Sequence, residues 1–269
     1  MIKKQKFTKA ILAKQLGISR ASLYYVSKQL PKDWALKKDV EKVLQEHPGY
    51  GSPRVALALK INEKRAARVM RLFGIRAYRR RGRRFRKSGI AKQAYPNLLR
   101  EMVPTKPNDA WVADFTYLPF KQSFVYVATV MDCLTKEVVG VSISLRHDTS
   151  LVLEALFSAV HYRPHPKLFH SDNGREYGSR VFTGALTELG IQISRSKKAC
   201  PWENGLQESF YSQFKVDLGD PDRFKTLGEL VYEIHGTIWT YNHTRIHSVL
   251  KMPPFLFSNR YQQFLEKMS

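Results

Sequence analysis

The positive charge of this chain is crowded into its first two-fifths. Of the 45 Lys and Arg and 23 Asp and Glu in 269 residues, residues 1–103 hold 27 and 6, and residues 104–269 hold 18 and 17. The net charge is +21 before residue 104 and +1 after it, for a total of +22. Essentially all the excess sits in the first two-fifths. A surface this basic repels itself unless it meets a polyanion, and nucleic acid is the commonest one. A solvated basic surface kept for solubility is the plainer alternative, and the segregation argues against it.

Composition sets the outer bounds. Hydrophobic residues at 43% and aromatics at 12% exclude bulk disorder, and the length suffices for one ordinary core plus a smaller domain. No apolar run approaches the roughly 18 residues that span a bilayer. The basic N-terminus has no long apolar stretch and no small-residue cleavage site, so neither a membrane span nor a secretory signal is expected. Cys133 and Cys200 are too few for a disulfide framework or a four-ligand zinc site, and a reducing cytoplasmic setting fits.

The basic part reads as helical. In residues 8–25, Ala13, Gly17 and Leu23 stand at offsets 0, 4 and 10. This is helix-turn-helix spacing: a small residue where helices touch, a glycine for the left-handed turn, an apolar anchor in the second helix. Ser19 suits the N-cap of a recognition helix beginning at Arg20. An ordinary two-helix hairpin is the alternative. A second unit follows over residues 35–75. Leu36, Val40, Val43 and Leu44 form a helical stripe, HPGYG at 47–51 breaks it, and Ser52 suits the N-cap and Pro53 the first turn of another helix. Asn62 caps a third, which stops at Gly74 and carries Lys64, Arg65, Arg68 and Arg71 on one face. Residues 76–87 hold eight basic side chains in twelve, among them Arg79, Arg80, Arg81, Arg83 and Arg84. They read as an arm along a phosphate backbone or groove, or a linker that orders on binding. The expected domains are therefore residues 1–34, 35–75, a basic arm and connection at 76–109, and a larger unit at 110–269.

From residue 110 the pattern turns α/β. Strands are expected at 111–120, 123–135 and 137–145, with connections short enough for an antiparallel meander. A helix at 150–160, a buried strand at 167–172, a helix at 177–190 and a strand at 191–196 follow, then helices at 202–218 and 226–241. That order predicts a mixed five-stranded sheet with helices on both faces.

Three carboxylates stand out within it. Asp114 interrupts the apolar strand WVADFTY, where an unpaired charge costs several kcal/mol. Asp172 ends the strand KLFHSD before an Asn-Gly turn. Glu208 lies on a helix about 160° from the apolar seam of Leu206 and Phe210, with Lys215 nearly in line with it two turns on. Two strand aspartates and a helical glutamate can hold two Mg²⁺ or Mn²⁺ ions through oxygen ligands. Taken singly, each reads better as a strand-end or surface acid than as a metal ligand.

The motifs WVADFTYL, HSDNGREY and PWENGLQESFYSQFK, in that order, resemble the catalytic core of bacterial insertion-sequence transposases and retroviral integrases. Thirty-five residues separate Asp172 from Glu208, the D-D-35-E spacing of that superfamily. HPGYGSPRVALALK resembles the pre-catalytic helix-turn-helix of the OrfB-type group whose two reading frames are joined by a frameshift. YNHTRIHSVLKMPPFLF resembles that group's C-terminal signature. The resemblance implies an α/β fold with a ribonuclease-H-like mixed five-stranded sheet and flanking helices, preceded by all-α helix-turn-helix units. It implies a metal-dependent DNA transposase that binds transposon ends, frees a 3′-hydroxyl and joins it to another phosphodiester. Asp114, Asp172 and Glu208 match the family's metal ligands, and Lys215 matches a basic residue that contacts the transposon end. Trp202 stands where the family often has tyrosine. Further implied are target DNA, homo-oligomers on DNA and an upstream-frame DNA-binding protein as fusion or partner.

Lys197 and Lys198, before the glutamate helix, join these residues as expected phosphate contacts. Asp132 and Glu203 read as turn or surface acids, and His161, His165 and His170 as a polar loop rather than a zinc site. Two other functions remain open: a regulatory or inactive end-binding protein, and a nuclease that hydrolyses without joining. If the charge split reports DNA binding, residues 1–103 alone should lose affinity by orders of magnitude between about 50 and 200 mM salt. A flat titration by fluorescence anisotropy would contradict it.

Overall fold

The computed structural model describes residues 8–23, 29–78, 95–196 and 204–268. The sheet is built around β1 (Ala110–Phe120), the longest strand. β2 (Ser123–Asp132) and β3 (Val138–Ser144) extend it antiparallel on one side, and β4 (Leu168–Ser171) and β5 (Gln192–Arg195) parallel on the other, in the order β3-β2-β1-β4-β5. This is the expected mixed five-stranded sheet of the ribonuclease-H-like class. Because strand side chains alternate, β1 serves two cores. Val112, Leu118 and Phe120 pack under α7 (Gly205–Leu218) and α8 (Leu227–His243). Trp111 and Ala113 pack under α5 (Thr149–Tyr162) and α6 (Arg180–Glu188). The helix expected from residue 177 starts at Arg180, because the Ser179 hydroxyl accepts the Phe182 N–H at 3.2 Å and caps it there. α9 (Pro254–Met268) follows α8.

The helical part has α1 (Lys9–Gln15), a left-handed Gly17 at φ 64°, and a 3₁₀ turn at Arg20–Leu23, where the Ser19 hydroxyl accepts the Ser22 N–H at 3.2 Å. Only this turn of the expected recognition helix falls within the described residues. α2 (Gln29–Glu46) starts six residues before the expected helix and runs through the expected boundary between residues 34 and 35. Pro31 permits this, since the first-turn N–H groups of a helix have no intrahelical partner to lose. α3 (Ser52–Ala58) is capped by Gly51, so Ser52 is its first residue and not its cap. α4 (Glu63–Leu72) begins at Asn62, whose side chain accepts the Lys64 N–H at 2.8 Å. Val40, Tyr50, Val55, Ala66 and Val69 form the core of these helices, and Ile246 from the other end of the chain packs onto it.

The C-terminal signature residues hold this architecture together. Asn242 pairs with both backbone groups of Val138, accepting its N–H at 3.0 Å and donating to its carbonyl at 2.9 Å, which covers the sheet edge at β3. Arg245, 2% exposed, donates through Nε to Asp217 at 2.8 Å and through Nη2 to Gln213. Its guanidinium lies 5.6 Å from the Tyr50 ring, and the Tyr50 hydroxyl accepts the Ile246 N–H at 2.7 Å. The helical unit is thereby fastened to the back of α7.

On the other face, β3 and α5 approach so closely that a Cβ at Gly140 would sit 2.3 Å from the Ala155 carbonyl oxygen and 2.7 Å from the Ala159 Cβ. Gly140→Ala should therefore destabilise the core by about 2–4 kcal/mol through overpacking, read as a lower urea midpoint at unchanged slope.

Candidate active site

The parallel pairing of β1 and β4 sets the first part of the site. Val112 pairs with His170 and Ala113 with Ser171. One further step places Asp114 beside Asp172 on neighbouring strands about 4.8 Å apart. Both lie at the carboxyl end of the parallel pair, on the α7 side of the sheet, where ligands of such sheets collect. The loop after β4 is held by the Gly174 N–H, which donates to Asp172 Oδ1 at 2.9 Å. Arg195 also holds it, donating to the Gly174 carbonyl at 2.6 Å.

α7 brings the third acid. Three polar side chains on one stripe of this helix hydrogen-bond to β1 carbonyls: Asn204 to Ala113 at 3.3 Å, Gln207 to Val112 at 2.8 Å and Tyr211 to Asp114 at 2.7 Å. Gln207 also accepts from the Thr129 hydroxyl at 3.0 Å, and it is fully buried. These contacts fix the rotation of α7 and set exposed Glu208, the next residue, on its flank. Sequence reasoning missed Gln207 and Tyr211. The available signal was a polar pair at i, i+4 within a seam otherwise made of Leu206, Phe210 and Phe214.

The electrostatics are those of acids short of counter-charge. The Asp114 carboxyl is pushed up to about 8, first by burial, then by the Asp172 carboxylate and more weakly by Glu208; the Phe115 N–H and the Lys215 ammonium oppose this. Asp172 is raised by burial, with the Gly174 N–H and Arg195 opposing. The cover around Glu208 raises it too. Among the described residues, Oδ2 of Asp114 and of Asp172 makes no hydrogen bond, while Oδ1 of each accepts a backbone N–H at 2.9 Å. An all-carboxylate donor set with unoccupied oxygens suits a hard divalent cation such as Mg²⁺ or Mn²⁺. Among the described residues no three His, Cys, Asp or Glu side chains converge tightly enough to hold one ion, so Glu208 stands apart from the aspartate pair.

The other expected residues divide. Lys215 is half-buried, its ammonium 5.3 Å from the Tyr117 ring. Arg20, Lys64 and Arg65 are exposed. Arg68 departs from the expected basic face of α4: its guanidinium grips Asp33 at 2.7 and 2.5 Å, tying α4 to α2, because the buried Asp33 needs a cation. Lys197, Lys198, Trp202 and Glu203, and Arg79, Arg80, Arg81, Arg83 and Arg84, lie outside the described residues. Asp132 is a turn acid, accepting the Asn108 N–H at 2.6 Å and the Thr135 N–H at 2.7 Å. His161 and His165 are exposed, and His170 is buried with Nδ1 at 2.8 Å from the Ser194 hydroxyl.

This fold and acid pair define an integrase core, and the integrase core domain family matches residues 104–201 and again 189–254. The transposase of insertion sequence element IS904 from Lactococcus lactis is 33% identical, covering 83% of this chain and 93% of that protein. The transposase InsK of IS150 from Escherichia coli is 32% identical, covering 93% of each. Among solved structures, the HTLV-2 integrase catalytic core domain in complex with magnesium matches with a TM-score of 0.48 at 21% identity, covering 57% of this chain and 98% of that one. The chain belongs to the IS3 family of insertion-sequence transposases, as an OrfB-type DDE transposase with a retroviral-integrase-like core. Among the described residues no helix is long and apolar enough to cross a membrane.

The raised Asp114 carboxyl has a stability consequence. Between its ordinary value of 3.8 and about 8, the metal-free folded protein keeps a proton that the unfolded chain has released. Stability therefore falls as pH rises through that window. Asp114→Asn removes the group. In chelator at pH 8 its Tm should exceed wild type by at least about 3 °C, and the two should converge near pH 4. Equal Tm values at both pH values would contradict the assignment.

Proposed function

We propose that this chain is a DNA transposase that binds transposon ends, cleaves a strand to free a 3′-hydroxyl and joins that hydroxyl to another phosphodiester. The observation that carries the reading is the Asp114–Asp172 pair at the carboxyl end of two parallel strands, short of positive charge, with the charge of Glu208 reaching it from α7. Asp114, Asp172 and Glu208 would hold two Mg²⁺ or Mn²⁺ ions, with Glu208 turning in from its exposed position. When bound, such ions activate the attacking water or hydroxyl and neutralise charge on the leaving oxygen.

The residues of the chain supply the rest. The α7 stripe holds Glu208 on the helix flank beside β1, and Arg195 keeps the loop of Asp172 in place. Lys215, two turns along α7, is assigned to the terminal nucleotides. End recognition is assigned to the basic part: Arg20, Lys64 and Arg65, the arm arginines Arg79, Arg80, Arg81, Arg83 and Arg84, and Lys197 and Lys198 nearer the site. Arg68 contributes charge from its pairing with Asp33. Homo-oligomers on DNA, target DNA and an upstream-frame DNA-binding protein are the proposed partners, and the cytoplasm is the proposed location.

Labelled end DNA with Mn²⁺, scored separately for cleavage and joining, tests the reading. Both activities support a transposase, cleavage alone a nuclease, and binding without either an end-binding regulator. Asp114→Asn, Asp172→Asn and Glu208→Gln should each lower cleavage and joining by at least about 100-fold and leave end affinity within about twofold, since each removes a ligand and spares the basic part. Lys215→Ala should lower cleavage about tenfold with little loss of affinity, because a contact near the scissile bond acts mainly in the transition state. Near wild-type turnover in any of the acid variants would remove that residue from the site.

A further inference from the structure

The helical unit and α7 enclose a cleft of about 450 Å³. Its walls include Gly49, Gly51 and Arg54 from the helical unit, Ser212 and Gln213 from α7, and Ser248 from the segment after α8. Among the described residues its lining offers guanidinium, hydroxyl and amide groups and no carboxylate.

Arg54 is the unusual member. It is half-buried, and among the described residues its guanidinium makes no hydrogen bond and no ion pair, with Nε fully enclosed. The Tyr50 ring, 5.7 Å away, is its aromatic neighbour. The carboxylate whose charge reaches it, Asp217, is already engaged by Arg245 at 2.8 Å. Two guanidiniums thus share one carboxylate, and the cleft holds excess positive charge. Burial and the Arg245 charge both press on the Arg54 cation. A half-buried charge in that position is costly until an anion meets it, and a guanidinium fork matches phosphate oxygens.

The place of the cleft indicates which anion. Ser212 lies four residues after Glu208 and three before Lys215, on the same side of α7, about 6 Å along the axis from the glutamate. We propose that the cleft binds a backbone phosphodiester of the DNA strand whose end enters the active site, with Arg54 as the charged donor and the Ser212 and Ser248 hydroxyls as neutral donors. This rests on the transposase reading and adds a shared grip to it. One phosphate, a few nucleotides from the scissile bond, would be held jointly by the helical unit and the catalytic helix, which fixes the distance from recognised sequence to cleaved bond.

The test uses the full chain in chelator, bound to labelled end duplex across a salt series. A parallel set of duplexes carries a single neutral methylphosphonate at successive positions near the cleavage site. Wild type should show one or two positions in this set where neutralisation weakens binding. Arg54→Gln should flatten the slope of log affinity against log salt by about 0.9, weaken binding about five- to tenfold near 100 mM salt, and make those positions silent. Its Tm should hold or rise, because one of two mutually repelling cations is gone. Arg54→Lys should keep most of the slope. Ser212→Ala should weaken binding about threefold at the same phosphate, so the serine variant probes the cleft even where Arg54→Gln fails to fold. A wild-type slope and an unchanged methylphosphonate map in folded Arg54 and Ser212 variants overturn the site and leave the transposase reading standing. A wild-type chain that binds no end DNA overturns both.

Discussion

A helix that carries an acid across the central strand of a sheet must be fixed in rotation as well as in position. Apolar packing fixes the second far better than the first, because a stripe of Phe and Leu tolerates a turn of a few tens of degrees. In this protein the rotation of α7 is set by Asn204, Gln207 and Tyr211, each bonded to a carbonyl of β1. Those acceptors are the main chain of Val112, Ala113 and Asp114, the same segment that supplies the first acid. The spacing between Asp114 and Glu208 is therefore transmitted through three hydrogen bonds to one stretch of strand, with Thr129 of β2 closing the arrangement behind Gln207.

The same geometry makes the acid pair unfavourable without a counter-charge. Asp114 and Asp172 are set on neighbouring strands by the β1–β4 pairing, so burial acts on both and the Asp172 charge raises Asp114 further. Lys215 and Arg195 offset only part of this. The fold is held by the two apolar cores on either side of β1 and bears the cost of the acids from that source. The acids thus follow the usual logic of a functional site, in which local consistency is given up where chemistry is needed.

Much of this was legible in the sequence because it rests on local signals. Strand-like apolar runs with short connections marked the five strands, Asn62 the start of α4, Ser19 the 3₁₀ turn at Arg20–Leu23, and Gly17 its left-handed turn. Asp114 stood out as a charge within an apolar run. What escaped were pairings between residues far apart in sequence. Arg68 sits at ideal spacing for an open basic face, and nothing local says that Asp33, 35 residues earlier, claims it. Gln207 reads as an ordinary helix-surface residue until β1 is laid beneath it. The early start of α2 was hidden by Pro31, a breaker inside a helix and harmless in its first turn. The C-terminal signature was visible as a motif, but that its Asn242 closes a sheet edge and its Arg245 clamps the helical unit needed the packing.

That clamp also orders events in time. The Tyr50 hydroxyl meets the backbone N–H of Ile246, a partner 196 residues later in the chain. At a synthesis rate of about 5–20 residues per second, the helical unit leaves the ribosome roughly 10–40 s before the segment that fastens it exists. During that interval the basic helices can fold around their own core, but their seat on α7 has not yet been made. The alignment of the basic unit with the acidic site is thus a property of the finished chain alone, and a nascent or truncated product carries the charge without the geometry.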